Sequence, residues 1–223
     1  MYIHRSGRFK FKCREDTLDE YVVNEVIKRG DYEKHFKIEP DDRVLDLGGH
    51  IGTLACLASR KAKAVLSVEM DKTNFNLLKQ NLKLNNCEDV EILNKAVTLE
   101  DDETIEYGQN TMKNTGAHSF FIKGGKRAIK EASTISIDTI LEEFAPTFIK
   151  MDIEGAEKIL LPSILDYHPM KFIMEYHHNI IKNLSHYTKV WRKINKMYDN
   201  VVGKKPDQVG KNWHSYVYAW DDF

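Results

Sequence analysis

From residue 43 onward, short apolar runs alternate with amphipathic stretches, and this rhythm constrains the fold more than any other feature of the chain. Arg43-Val44-Leu45-Asp46-Leu47 reads as a strand running into a glycine turn, with a helix over 53–62 behind it. A strand over 64–69, a helix over 74–85 and a strand over 90–94 follow. The alternation returns with a strand at 147–151, a helix at 154–165, a strand at 171–175 and a long amphipathic helix near 180–198. Repeats of this kind predict βαβ units on a parallel sheet with helices on both faces. The runs at 201–202 and 216–220 are expected to close that sheet as an antiparallel C-terminal hairpin. The expected architecture is α/β, a three-layer sandwich with a mostly parallel sheet.

Two regions stand outside the rhythm. Residues 1–40 form an N-terminal extension. In it Arg8-Phe9-Lys10-Phe11-Lys12 alternates like an edge strand, and 17–29 has helical spacing until Gly30-Asp31 stops it. Residues of about 98–133 form an insertion in the main domain, 41–223, with extra strands expected at 104–107, 119–122 and 134–137. Its turns at Gly116, Gly124 and Gly125 make it the candidate lid over a substrate.

At 223 residues the chain suits one large domain. Its 33 Lys+Arg against 34 Asp+Glu argue weakly against a dedicated nucleic-acid binder, which is usually basic. Basic residues do gather in the insertion (Lys123, Lys126, Arg127, Lys130), leaving an anionic acceptor conceivable. Cys13, Cys56 and Cys87 have no zinc or disulfide spacing and read as free thiols. No run is long and apolar enough to span a bilayer, and the N-terminus lacks a signal-peptide core. A cytoplasmic protein without membrane insertion is the expectation.

Asp46-Leu47-Gly48-Gly49-His50-Ile51-Gly52 joins a strand to a helix, the place where open α/β sheets bring ligands to a helix N-terminus. The dinucleotide pattern G-x-G-x-x-G would need glycine at 47, where Leu47 stands. That disfavours an NAD(P)-dependent oxidoreductase. What remains is D-x-G-x-x-x-G, and an acidic strand end suits a ligand with an ammonium group. The amino-acid end of S-adenosylmethionine fits. Glu69 ends the next strand, where a carboxylate can accept hydrogen bonds from both ribose hydroxyls. Met70 beside it, with Lys95 and Ala96 after the third strand, would flank the adenine.

With those residues in view, the chain resembles the FkbM-type S-adenosylmethionine-dependent methyltransferases. The resemblance rests on Gly30-Asp31-Tyr32-Glu33, on 44–52, and on Ile137-Asp138-Thr139-Ile140-Leu141. It rests most on Phe148-Ile149-Lys150-Met151-Asp152-Ile153-Glu154-Gly155-Ala156-Glu157. Glu175-Tyr176-His177 fits the family's acidic residue and nearby histidine, and His50 departs from its pattern. The resemblance covers roughly residues 30–180. It implies a Rossmann-like class I methyltransferase fold and a cofactor set of Glu33, Asp46, Gly48, Gly49, His50, Gly52, Glu69, Met70, Lys95 and Ala96. It also implies O-methylation, commonly of sugars in glycans, with glycosyltransferases as expected fusion or working partners.

Lys150 and Asp152 stand two apart, so they share one face of the fourth main strand at its carboxyl end. Asp152 could take the acceptor's proton as a base, or hold a divalent metal (Mg2+ or Mn2+) that acidifies the hydroxyl. Asp152, Lys150, Glu175 and His177 are the candidate catalytic residues, and Asp152, Glu175 and His177 the candidate metal ligands. The competing reading makes Asp152 a helix N-cap, with Glu154 and Glu157 complementing the helix dipole. His177 and His178 would face opposite ways if the strand continued through them. The Asn/Asp-Pro-Pro-aromatic motif of base and amide N-methyltransferases is absent at Lys150-Met151-Asp152-Ile153, which lowers N-methylation and favours a hydroxyl acceptor. A non-catalytic scaffold of the same fold is the third reading.

Overall fold

The computed structural model describes residues 1–110, 113–119, 127–209 and 214–222. Strands β1 (Tyr2–Ser6) and β2 (Phe9–Cys13) form an antiparallel hairpin, so the expected edge strand has a partner. Helix α1 (Asp19–Asn24) continues as a π-helical turn over Glu25–Arg29, and Gly30 ends it at φ 65°. The main domain then runs through β3 (Arg43–Leu47), α2 (Thr53–Ala58), β4 (Ala64–Val68), α3 (Lys72–Leu84) and β5 (Glu91–Leu93). The insertion carries β6 (Ala96–Thr98), β7 (Thr104–Asn110) and β8 (Arg127–Ser136). After it come α4 (Ile137–Phe144), β9 (Phe148–Met151), α5 (Glu157–Tyr167), β10 (Lys171–Tyr176), α6 (His178–Ile181), α7 (Leu184–Met197), β11 (Asn200–Gly203) and β12 (Ser215–Trp220).

Seven strands make the central sheet in the order β11-β12-β10-β9-β3-β4-β5. β3, β4, β5, β9 and β10 are parallel, and β12 runs antiparallel to both β10 and β11. The expected C-terminal hairpin therefore forms, but its second strand enters the sheet and leaves β11 at the edge. Side chains alternate across the sheet. Leu45, Leu47, Ile149, Met151, Phe172 and Met174 pack against α4, α5 and α7. Val44, Val65, Phe148, Ile173 and Tyr218 face α2, α3 and the N-terminal extension. That is the three-layer sandwich, with the N-terminal segment completing one layer.

Several boundaries differ from the sequence reading for local reasons. Ile137 opens α4 rather than ending a strand, because the Ser136 hydroxyl accepts the Asp138 N–H as a cap. The helix expected from 154 starts at Glu157, since Glu154 (φ 51°) and Gly155 (φ 107°) hold 152–156 as a loop. The long helix near 180–198 is split where Lys182 turns left-handed. The insertion is a three-stranded sheet, β6-β8-β7, and the three-residue β6 was too short to read. The expected strand beyond Ser119, the turns at Gly124 and Gly125, Lys123 and Lys126 lie outside the described residues.

Candidate functional site

Strand register gathers the site. Asp46 on β3 stands opposite Ser67 on β4 and Lys150 on β9, and Glu175 on β10 stands opposite Tyr216 on β12. All lie on the sheet face shared with Val44 and Phe148, at the carboxyl ends of the parallel strands.

Glycine is required in the turn after β3 for the chain's own approaches. A Cβ on Gly48 (φ 85°) would lie 2.0 Å from the Asp152 carbonyl oxygen, and one on Gly49 would lie 2.2 Å from Ser67 Oγ. The amides of Gly48 and Gly49 both donate to the Val68 carbonyl. Lys150 Nζ donates to the carbonyls of Leu47 (3.2 Å) and Gly48 (2.7 Å) and lies 3.2 Å from Asp46 Oδ1. Two of its protons go to those carbonyls and its charge pairs with Asp46, so Lys150 positions the turn. Burial works against its charge, but Asp46 and Asp152 outweigh that and hold its pKa above the ordinary lysine value. Asp46 also accepts from Ser67 Oγ at 3.0 Å.

Two joined cavities open over this turn. The narrower is lined by Val68, Glu69, Met70, Lys95, Ala96 and Val97, with Ile153 and Ala156 opposite and Gly116 and His118 of the insertion above. Glu69 is fixed there, accepting the backbone N–H of His50 (2.8 Å) and of Asp71 (2.7 Å). Burial pushes its pKa up to about 8. The wider cavity, about 290 Å³, lies over Asp46, Gly49, His50 and Lys150, with Tyr32, Glu175 and Tyr216 on its far side. Gly48, Glu69, Gly116, Asp152 and Glu154 line both. The pair together has an apolar end at Met70, Ala96 and Val97 and a polar end at Asp46 and Lys150.

Beside Asp152 is a concentrated charge cluster. His177 Nδ1 is 2.9 Å from Glu157 Oε1. Its Nε2 is 3.5 Å from Glu154 Oε2 and 3.8 Å from both Asp152 Oδ1 and Glu175 Oε1. Burial pushes the Glu154 pKa up to about 7 and, with the neighbouring Asp152 charge, that of Glu175 to about 8. Burial opposes a charge on His177, but Glu157 and the other carboxylates prevail and hold its pKa well above the usual histidine range.

Of the residues named from sequence, Asp46, Gly48, Gly49, His50, Glu69, Met70, Lys95, Ala96, Asp152, Lys150 and Glu175 line the cavities, and His177 backs the wider one. Gly52 lies at the start of α2, where its Cα faces Leu78. Glu33 stands apart: its carboxylate accepts from Lys61 Nζ (2.6 and 2.7 Å) and from the Ile38 N–H. Asp152 is no helix cap, since α5 begins with Ala156 at its N-cap position. His178 opens α6 and turns to Ser215 Oγ at 3.0 Å, which leaves His177 as the histidine of the site. Glu157 is the ring's hydrogen-bond partner rather than a dipole charge alone. His118 and His214 were not named from sequence and no spacing marked them, while Tyr32 stood only in the Gly30–Glu33 stretch of the resemblance and Tyr216 only in the aromatic C-terminal run 216–220.

The sequence profile described as the Methyltransferase FkbM domain matches residues 46–200. The structure of a methyltransferase FkbM from Methylobacillus flagellatus superposes with a TM-score of 0.52 at 20% identity, over 84% of this chain and 46% of that one. Precorrin-6y C5,15-methyltransferase from Geobacter metallireducens gives a TM-score of 0.50 at 12% identity, over 95% of this chain and 94% of that one. At such identities the likeness is one of fold. Ribosomal RNA small subunit methyltransferase A of Alkaliphilus metalliredigens is 30% identical over 95 residues, 40% of this chain and 30% of that protein. The chain spans less than a third of the curated relatives it matches, 22% and 30% of the first two.

Proposed function

Because the chain belongs to the FkbM methyltransferase family, we propose that it transfers a methyl group from S-adenosylmethionine to a hydroxyl, most specifically that of a sugar in a glycan or glycosylated small molecule. The observation that carries this reading is the position of Asp152, which lines both the cavity suited to the cofactor and the acidic cavity beside it. Adenine would lie among Met70, Ala96, Val97 and Ile153, the ribose hydroxyls on Glu69, and the amino-acid end toward Asp46 and Gly48. The bound cofactor supplies an electrophilic methyl on its sulfonium. The chain's part is to align the acceptor oxygen in line with the carbon–sulfur bond and to accept the hydroxyl proton at Asp152 as the carbon–oxygen bond forms. The electron pair of the broken bond stays on sulfur.

The wider cavity favours a neutral hydroxyl acceptor over a phosphate-rich one. Glu25, Asp152, Glu154 and Glu175 line it, while its single lysine, Lys150, is already committed to the turn. Of the basic residues of the insertion, Arg127 donates through Nη1 to the carbonyls of Gly108 and Ala117, and Lys123 and Lys126 lie outside the described residues. Tyr32 and Tyr216 line the same cavity, and aromatic side chains are of the kind that pack on the apolar face of a sugar.

Calorimetric titration tests the cofactor half. S-adenosylmethionine and its demethylated product should bind with a single site, and Glu69→Gln should weaken both by roughly 10- to 100-fold, the worth of the two ribose hydrogen bonds its carboxyl would accept. Binding of a nicotinamide dinucleotide in place of S-adenosylmethionine would overturn the reading.

A further inference from the structure

We propose that Asp152, Glu175 and His177 form a binding site for a hard divalent cation of the Mg2+ or Mn2+ class. One oxygen of each carboxylate and one ring nitrogen of His177 all lie within 4.8 Å of one another. The strands bring them there. Asp152 directly follows β9 and Glu175 lies on β10, the parallel neighbour in which Met174 pairs with Met151. His177 ends the same stretch, one residue past the strand.

The orientation of His177 is the second observation. The ring is buried, and Glu157, itself fully buried, takes its Nδ1 at 2.9 Å. That contact turns Nε2 toward Asp152, Glu154 and Glu175, none of which approaches closer than 3.5 Å. A carboxylate behind the imidazole and an unengaged nitrogen in front is how proteins fix a metal-ligating histidine. The other Glu157 oxygen is buried without a hydrogen-bond partner.

Charge is the third. Asp152, Glu154, Glu157 and Glu175 all lie within 2.9–3.8 Å of this one ring. Among the described residues, the only other cationic partner in ion-pair range of any of the four is His214, 3.1 Å from Glu175. A divalent cation among these oxygens would give the crowded carboxylates a common partner. Oxygen donors with a single imidazole suit Mg2+ or Mn2+ better than a thiol-seeking metal. Glu154 Oε2 would be a fourth donor. Asp152 faces the acceptor cavity, so a cation there would bind the acceptor hydroxyl and make its proton easier to lose. This use of the metal rests on the methyl-transfer reading; its binding does not.

The test is Mn2+ titration of the full chain followed by electron paramagnetic resonance, without cofactor or acceptor. A single saturable Mn2+ per chain, displaced by Mg2+, is expected. Glu175→Gln and Asp152→Asn, which preserve side-chain size, should weaken it at least 10-fold with an unchanged circular dichroism spectrum. His177→Ala should abolish it, and Lys193→Ala, which removes from α7 an exposed partner of Asp166, should leave it unchanged. No saturable Mn2+ binding, or binding unaffected by both amide variants, overturns the site. It would leave the imidazolium, the sulfonium or an acceptor ammonium as the balancing charge. Mn2+ binding without any S-adenosylmethionine binding would uphold the metal site while removing the function argued above. Methyl transfer that survives exhaustive chelation would overturn the metal's catalytic use.

Discussion

His50 and His118 both sit against the cavities, and burial drives each imidazole's pKa down to about 4. His50 Nε2 meets Thr115 Oγ1 at 3.0 Å and the Arg14 guanidinium at 3.3 Å, with Asp19 at 3.5 Å. His118 Nδ1 accepts the Asn110 N–H, and its Nε2 lies 3.9 Å from Asp71. In the unfolded chain both rings take up a proton near pH 6.5, while in the folded chain they stay neutral to about 4. Through these two rings the unfolded state binds more protons in that window, so their share of the stability is lost as pH drops from 6.5 toward 4, by at most about 1.4 kcal/mol per pH unit for each ring. The raised carboxyls Glu69, Glu154 and Glu175 act in the opposite sense over the same window, so the ring's share is read as a difference between two proteins. In urea unfolding, His118→Gln, whose side-chain oxygen can still accept from Asn110, should lose less stability than the wild type between pH 6.5 and 4. An equal loss in both proteins would contradict the assignment. At this scale the sequence disclosed the strand-end carboxylates Asp46, Glu69 and Asp152, because their positions follow from strand and turn patterns. It did not disclose how Lys150 spends its protons, since that depends on carbonyls in a turn about a hundred residues away.

Among the elements, α3 does more than cover the sheet. Asn81 and Asn85, one helical turn apart and both buried, bond the free edge of β2 as another strand would. Lys12 N–H donates to Asn81 Oδ1 at 2.7 Å, and Lys10 N–H to Asn85 Oδ1 at 2.9 Å; Asn85 Nδ2 returns a bond to the Lys10 carbonyl at 2.7 Å. Asn81 Nδ2 also reaches the Ile51 carbonyl just after the glycine turn. The hairpin is thus tied to the cofactor turn through one side chain. Asn81→Leu would strand the Lys12 N–H and the Ile51 carbonyl, and chemical denaturation should show a loss of about 2–6 kcal/mol, one to three for each buried group left unsatisfied. A change below about 0.5 kcal/mol would mean that water replaces the amide. The 8–12 alternation revealed the strand, but a polar residue on a helix gives no hint of which distant backbone it completes. The start of α5 was misread for a similar reason: helical spacing continues through 154–156, while the left-handed Glu154 and Gly155 interrupt it.

For the molecule as a whole, the periodicity from residue 43 foretold the layers and the parallel strands, because strand and helix repeats follow directly from which faces must be buried. The entry of β12 between β10 and β11 was not legible, since pairing order in a sheet leaves no mark on local spacing. The same sheet brings Asp152 between the narrower cavity, proposed for the cofactor's adenosine, and one lined with carboxylates, and the proposed transfer depends on that juxtaposition. The most direct test is mass spectrometry of neutral glycans and glycosides after incubation with S-adenosylmethionine carrying a deuterated methyl group, using the wild-type protein and Asp152→Asn in parallel. The labelled methyl is expected on a sugar hydroxyl oxygen with the wild-type protein, and to be lost with the variant while the variant still binds S-adenosylmethionine. Label on a nitrogen, or equal transfer by both proteins, would contradict it.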